Sequence, residues 1–181
     1  SFFLRSFLPY HPSSSQNPLK LCRSCKDISR LLLSLQRLRV GTGLYDGIAA
    51  GERDINQQIE SHCVQLLGER FLHIVRWHKR QAKLLPDPKT LAITLRSGVL
   101  MYQGNSMATK AILDAATTLI LDGTYNDEDE EEDDDDAVSF LSGCNEFEVS
   151  NYLFAYAMAR QLKVGVFIAL TDQMTDDGII G

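Results

Sequence analysis

The sequence predicts a mainly α-helical fold, with five or six helices packed as an irregular bundle or a short helical array. Three observations carry this. Between Glu52 and Lys83, Ile55, Ile59, Cys63, Leu66, Leu67, Phe71, Ile74 and Val75 recur at three- and four-residue steps, which lays an apolar stripe along one long helix. Asp87-Pro88 joins a side-chain acceptor to the residue best tolerated in a first helical turn. Asn145 followed by Glu148 forms a capping-box pattern ahead of another apolar run. At 181 residues and 44% hydrophobic composition, the chain can bury one sizeable core but not two comfortable ones.

In chain order, residues 1–21 read as an extended N-terminal arm, with Pro9, Pro12, Pro18 and the Ser13-Ser14-Ser15 run interrupting any regular element. The start at Ser1 leaves an engineered start, an excised fragment and a processed mature chain all open. The apolar Phe2–Leu8 patch with Arg5 is too short for a complete signal peptide. Residues 22–181 read as a single helical domain. Ser24 caps its first helix, from about Lys26 to Arg39, with Asp27 three residues on; Ile28, Leu31, Leu32, Leu35 and Leu38 face inward, and Arg30, Arg37 and Arg39 add positive charge beside them. Gly41, Gly43, Gly47 and Gly51 then break the pattern before the long helix. This glycine-rich connection follows a helix and lacks a terminal Gly-Lys-Ser/Thr, so it does not read as a phosphate loop.

Within the long helix, Gly68 marks either close packing of a neighbour or a bend. After Pro88, the residues Leu91, Ala92, Leu95, Val99 and Leu100 form one helical side to about Tyr102, although Leu91, Ile93 and Leu95 also alternate as a short strand would. Ser106 opens the next helix, with Ile112, Leu113, Ala116, Leu119 and Ile120 inward; alanines at 108, 111, 115 and 116 permit close approach, and Gly123 ends it. The helix capped by Asn145 is expected to reach about Leu162, with Val149, Leu153 and Ala157 inward, joined by Phe154 and Met158, and Tyr152 and Tyr156 along its flank. Residues 163–170 read either as a short C-terminal strand or as helix continuing past Gly165.

Charge is the most informative feature of the composition. The formal net charge is −6, yet residues 127–136 hold ten consecutive carboxylates, leaving the rest of the chain at +4. Residues 1–110 carry 16 basic and 7 acidic side chains, whereas residues 111–181 carry 2 and 17. Such a division favours association between the halves, between copies, or with a charged partner. Two surfaces are candidates for that contact. One is the basic end of the long helix, comprising Arg70, Arg76, Trp77, Lys79, Arg80 and Lys83. The other is the acidic insertion at 126–137, containing Asp127, Glu128, Asp129, Glu130, Glu131, Glu132, Asp133, Asp134, Asp135 and Asp136, whose mutual repulsion favours a solvated loop.

Catalytic motifs are absent from the sequence: no nucleophile context, metalloprotease helix or dinucleotide fingerprint occurs. Cys22-Arg23-Ser24-Cys25 has the spacing of half a zinc site or a redox dithiol, but only the isolated His11, His62, Cys63 and Cys144 offer completing ligands, and ordinary reduced thiols are the plainer reading. No metal or cofactor is expected. The acidic run lacks the glycine and ligand alternation of a calcium loop. The expected function is a non-catalytic protein–protein interaction or scaffolding subunit of a larger assembly, with a protein partner or a second copy selected by charge. The alternatives are a nucleic-acid-binding module masked by its acidic insertion, and an enzyme whose site assembles only in space. No apolar run is long enough for a membrane span. The expected location is intracellular, cytoplasmic or nuclear, with a mitochondrial location also compatible with the N-terminal arm.

Overall fold

A computed structural model describes residues 22–42, 50–80, 85–101, 106–125, 138–161 and 163–176. These residues form six α-helices: α1 (Cys25–Thr42), α2 (Ala50–Arg80), α3 (Pro88–Met101), α4 (Ser106–Asp122), α5 (Glu146–Ala159) and α6 (Val164–Asp176). A short 3-10 turn, Phe140–Gly143, precedes α5. The result is an irregular helical bundle in which alternate helices make the most extensive contacts: α1 lies along α3 and α3 along α5, while α2 lies along α4 and α4 touches α6. Contacts between α1 and α2, α3 and α4, and α5 and α6 join the two rows.

Local chemistry fixes where the helices start. At α1, the Ser24 backbone N–H donates to Asp27 Oδ2 at 3.2 Å and the Asp27 N–H donates to Ser24 Oγ at 3.2 Å, completing a reciprocal cap. At α3, Asp87 accepts from the Thr90 N–H at 2.8 Å and from the Thr90 hydroxyl at 2.8 Å. At α5, Asn145 and Glu148 form the expected capping box, with bonds of 2.9 and 3.1 Å. Each reciprocal cap satisfies amide donors that the first turn would otherwise leave without intrahelical partners. Gly123 ends α4: its N–H donates to Leu119 O at 2.9 Å and its carbonyl accepts from Phe140 N–H at 2.8 Å. A Cβ here would collide with the Leu119 carbonyl and come within 2.8 Å of Phe140 Cβ.

Beyond Gly123, the two-residue strands β1 (Thr124–Tyr125) and β2 (Val138–Ser139) pair antiparallel, with Thr124 opposite Ser139 and Tyr125 opposite Val138. They bracket residues 126–137. The acidic insertion itself, the N-terminal arm 1–21 and the glycine-rich connection at 43–49 lie outside the described residues.

Two open alternatives are decided in favour of helix, and two expectations about α5 change. Residues 164–176 are helical rather than a C-terminal strand. In that helix Val166 and Leu170, one turn apart, are both buried against the bundle while Ile168 between them is 51% exposed, whereas a period-two strand would put all three on one face. Leu91, Ile93 and Leu95 likewise lie within α3, where the four-residue spacing of Leu91, Leu95 and Val99 defines the buried side. Finally, α5 stops at Ala159 instead of about Leu162, because Arg160 adopts the left-handed conformation (φ 53°) and returns its N–H to Ala157 and Tyr156 carbonyls. The buried side of α5 is also rotated from the expected one. Tyr152 and Tyr156 are fully buried, while Ala157 and Phe154 are exposed. Burial of the two rings is tolerated because their hydroxyls find acceptors: Tyr152 donates to Pro88 O at 2.8 Å and Tyr156 to Leu113 O at 3.1 Å.

Gly68 resolves as a site of close packing. A Cβ on Gly68 would lie 2.9 Å from Ile112 Cγ1, and one on Gly98 would lie 2.7 Å from Ile112 Cδ1. One isoleucine of α4 thus sits against bare backbone on both α2 and α3. Replacing Gly68 with valine should cost about 1–3 kcal/mol through overpacking. Ile112→Ala in the same chain should relieve part of that cost, so urea denaturation of the two single variants and the double variant should give a sub-additive cycle. Strict additivity would mean that the two residues do not share this contact.

Candidate interaction surfaces

The basic end of α2 is partly occupied by the fold. Arg70 is half-buried, and its Nε donates to the Cys22 carbonyl at 3.3 Å, tying the segment before α1 to α2. Lys79 Nζ lies 3.4 Å from Asp122 Oδ2 at the end of α4. The Gly68–Ile112 and Lys79–Asp122 pairs show that α2 and α4 run in the same direction, which places both C-terminal ends together. Arg76 is exposed, and Trp77 is 44% exposed with its ring 5.3 Å from that of His78, tilted by 59°. The side chain of Arg80, the whole of Lys83, and Asp127 to Asp136 lie outside the described residues. Arg76, Trp77 and Lys79 are therefore brought together at one helix end, whereas Arg70 is turned to an internal task.

The two N-terminal cysteines are buried free thiols, as are Cys63 and Cys144. Burial pushes the Cys22 thiol up from its ordinary value, and pushes Cys25 up to about 12. Cys63 and Cys144 are raised to about 11 by the same cause. Cys25 borders a crevice of about 470 Å³ that His78 and Asp87 also line. At neutral pH the Cys25 thiol stays protonated, and the adjoining helix starts are already capped by Ser24 and Asp87, so this crevice offers neither a thiolate nor a vacant helix terminus. Among the described residues, no three His, Cys, Asp or Glu side chains converge in an arrangement suited to a metal ion.

A larger groove, about 590 Å³, runs over α1, α3 and α5. Leu33, Ala92, Ile93 and Phe147 give it an apolar surface, and Arg37, Lys89 and Arg96 supply positive charge. Sequence reasoning missed this site. In the sequence Arg37 reads only as charge beside a buried face, and Phe147 is hidden among the apolar residues of α5 although it is 63% exposed. The available signal was the seven-residue separation of Lys89 and Arg96, which places both on one side of α3. Among the described residues, no helix is long and apolar enough to cross a membrane. No family model, curated protein or solved structure matches the chain.

The thiols give a direct test of this chemistry. In thiol labelling at pH 8, Cys25, Cys63 and Cys144 should react at least about 100-fold more slowly in the native protein than in urea, because both access and thiolate formation are suppressed. Stability should also fall in alkali. Cys25 ionises from 9.0 when unfolded but only near 12 when folded, and Tyr156, raised by burial, ionises from 10.0 and near 12 respectively. Unfolding therefore releases protons above pH 9, and the contribution of these groups is complete below that pH and lost as pH rises toward 12. A urea midpoint that stays flat between pH 8 and pH 11 would contradict these buried environments.

Proposed function

We propose that this chain is a non-catalytic helical interaction module, serving as a subunit or scaffold of a larger assembly, that selects a protein partner by charge. The basic end of α2 is the contact surface, and the acidic run at 127–136 contributes the opposite charge to partner choice. The observation that supports this reading is the half-exposed Trp77 beside Arg76, on a helix end braced by the Lys79–Asp122 pair. Tryptophan offers more apolar area than any other side chain, and covering the part still exposed here would contribute about 2–3 kcal/mol. Aromatic and arginine side chains together are the residue types on which interface energy concentrates. The surface ion pair adds at most about 1 kcal/mol, and its principal effect is to orient the helix end. Salt screens the exposed charges over about 10 Å at moderate ionic strength, so partner capture through them depends on ionic strength.

The test is isolation of the protein with its native companions at low and at high salt, identifying both protein and nucleic acid. Stoichiometric protein companions should be retained at low salt. Replacing Arg76, Lys79, Arg80 and Lys83 with alanine should weaken capture of an identified companion more at low salt than at high salt, and Trp77→Ala should weaken it about tenfold or more at both. Equal capture by the charge variant at both salt concentrations would end the electrostatic reading. Recovery of RNA or DNA that depends on the same four residues would replace it with nucleic-acid binding.

A further inference from the structure

We infer that the groove over α1, α3 and α5 is a second binding site, and that its occupant is an acidic amphipathic helix of a partner protein. None of the described residues of α2 lines this groove, so the site is separate from the basic helix end. Its charge has one sign among the described residues: Arg37, Lys89 and Arg96 border it and no carboxylate does. Among the described residues, none of these three cations takes part in an ion pair. Arg96 is held in place nonetheless, because its Nη1 donates to Asn151 Oδ1 at 3.4 Å while Asn151 Nδ2 donates to the Phe147 carbonyl at 2.6 Å. That arrangement fixes the orientation of one cation before any partner arrives, which reduces the ordering required on binding.

The apolar surface decides between kinds of anion. Leu33, Ile93 and the largely exposed Phe147 need apolar side chains opposite them, which a phosphate backbone does not supply. A nucleic acid would also call for several stacking surfaces, and Phe147 is the only aromatic ring among the described lining residues. The chain's own run at 127–136 is equally unsuited, since it has ten carboxylates and no apolar side chain. The occupant must combine both. Among the described residues all the walls are helices and no strand edge lines the groove, so a helix laid between helices is the fitting geometry. Lys89 and Arg96 stand two turns apart on α3, about 10 Å along the axis. An occupant with carboxylates seven residues apart and apolar residues at the intervening three- and four-residue steps matches that spacing. Phe154 continues the exposed stripe of α5 two turns beyond Phe147 and extends the apolar surface along the same helix.

The experiment uses the full chain, immobilised, against a displayed library of helical peptides with randomised surface positions. Enriched peptides should share the paired acidic positions with apolar residues between them. Synthesised singly, they should bind the Arg37→Glu, Lys89→Glu double variant at least about tenfold more weakly than the parent chain, and Phe147→Ala should also weaken them. These positions are at the surface, and unchanged thermal unfolding of the variants will separate lost binding from lost fold. Trp77→Ala should leave peptide affinity unchanged, so the groove and the α2 end succeed or fail independently. The inference is overturned if nothing is enriched, if the enriched peptides are basic or uncharged, or if their binding ignores both groove substitutions. It is also overturned if single-stranded RNA binds with the same dependence on Arg37 and Lys89 and the peptides do not.

Discussion

Ile112 of α4 rests against two glycines, Gly68 on α2 and Gly98 on α3, and the spacing of three helices depends on that contact. With no side chain on either glycine, Ile112 approaches backbone on both sides, and interiors packed to crystal density leave little room for adjustment. A glycine inside a helix forfeits about 1 kcal/mol relative to alanine. Here that loss is offset by dispersion contacts and by burial of Ile112, whose side chain is wholly removed from solvent. The small side chains of Ala108, Ala115 and Ala116 are also buried and extend the close approach along α4.

Polar groups in the core determine how α5 joins this assembly. Tyr152 and Tyr156 present rings to the core and hydroxyls to carbonyls on other elements, Pro88 at the start of α3 and Leu113 in α4. The Thr117 hydroxyl, 2.9 Å from that of Tyr156, adds a further polar neighbour. A buried hydroxyl without a partner would oppose folding by about 1–3 kcal/mol, so these bonds restrict α5 to the rotation in which both hydroxyls are satisfied. That rotation turns Phe147 and Phe154 outward. The groove over α1, α3 and α5 is thus a consequence of how two tyrosines are accommodated in the core.

Electrostatics is divided between surfaces in a way that the overall charge of −6 conceals. Arg70 and Lys79 are engaged with Cys22 and Asp122, leaving Arg76 and Trp77 outward at the end of α2. Arg37 of α1 joins Lys89 and Arg96 of α3 in a second basic surface, brought together only by the side-by-side packing of the two helices. Fields of this kind favour encounter with acidic partners even though the chain as a whole is acidic.

The amino-acid sequence by itself determined the helices and most of their ends. The caps at Ser24, Asp87 and Asn145 and the stop at Gly123 are local, since each depends on groups within about one turn, and all were legible before any packing was known. The apolar period likewise identified Leu67, Phe71, Ile74 and Val75 as core on α2. Residues 163–170 were ambiguous because a short apolar run has no distinctive period, and packing that buries Val166 and Leu170 while leaving Ile168 exposed between them decided it. Only the tertiary structure decided the rest: that Gly68 receives Ile112, that the tyrosines of α5 face inward, that Arg70 is turned to a carbonyl, and that Arg37, Lys89, Arg96 and Phe147 share one groove. Those relations join residues many tens of positions apart. They are set by close packing and by the satisfaction of buried polar groups, and neither leaves a periodic trace in the chain.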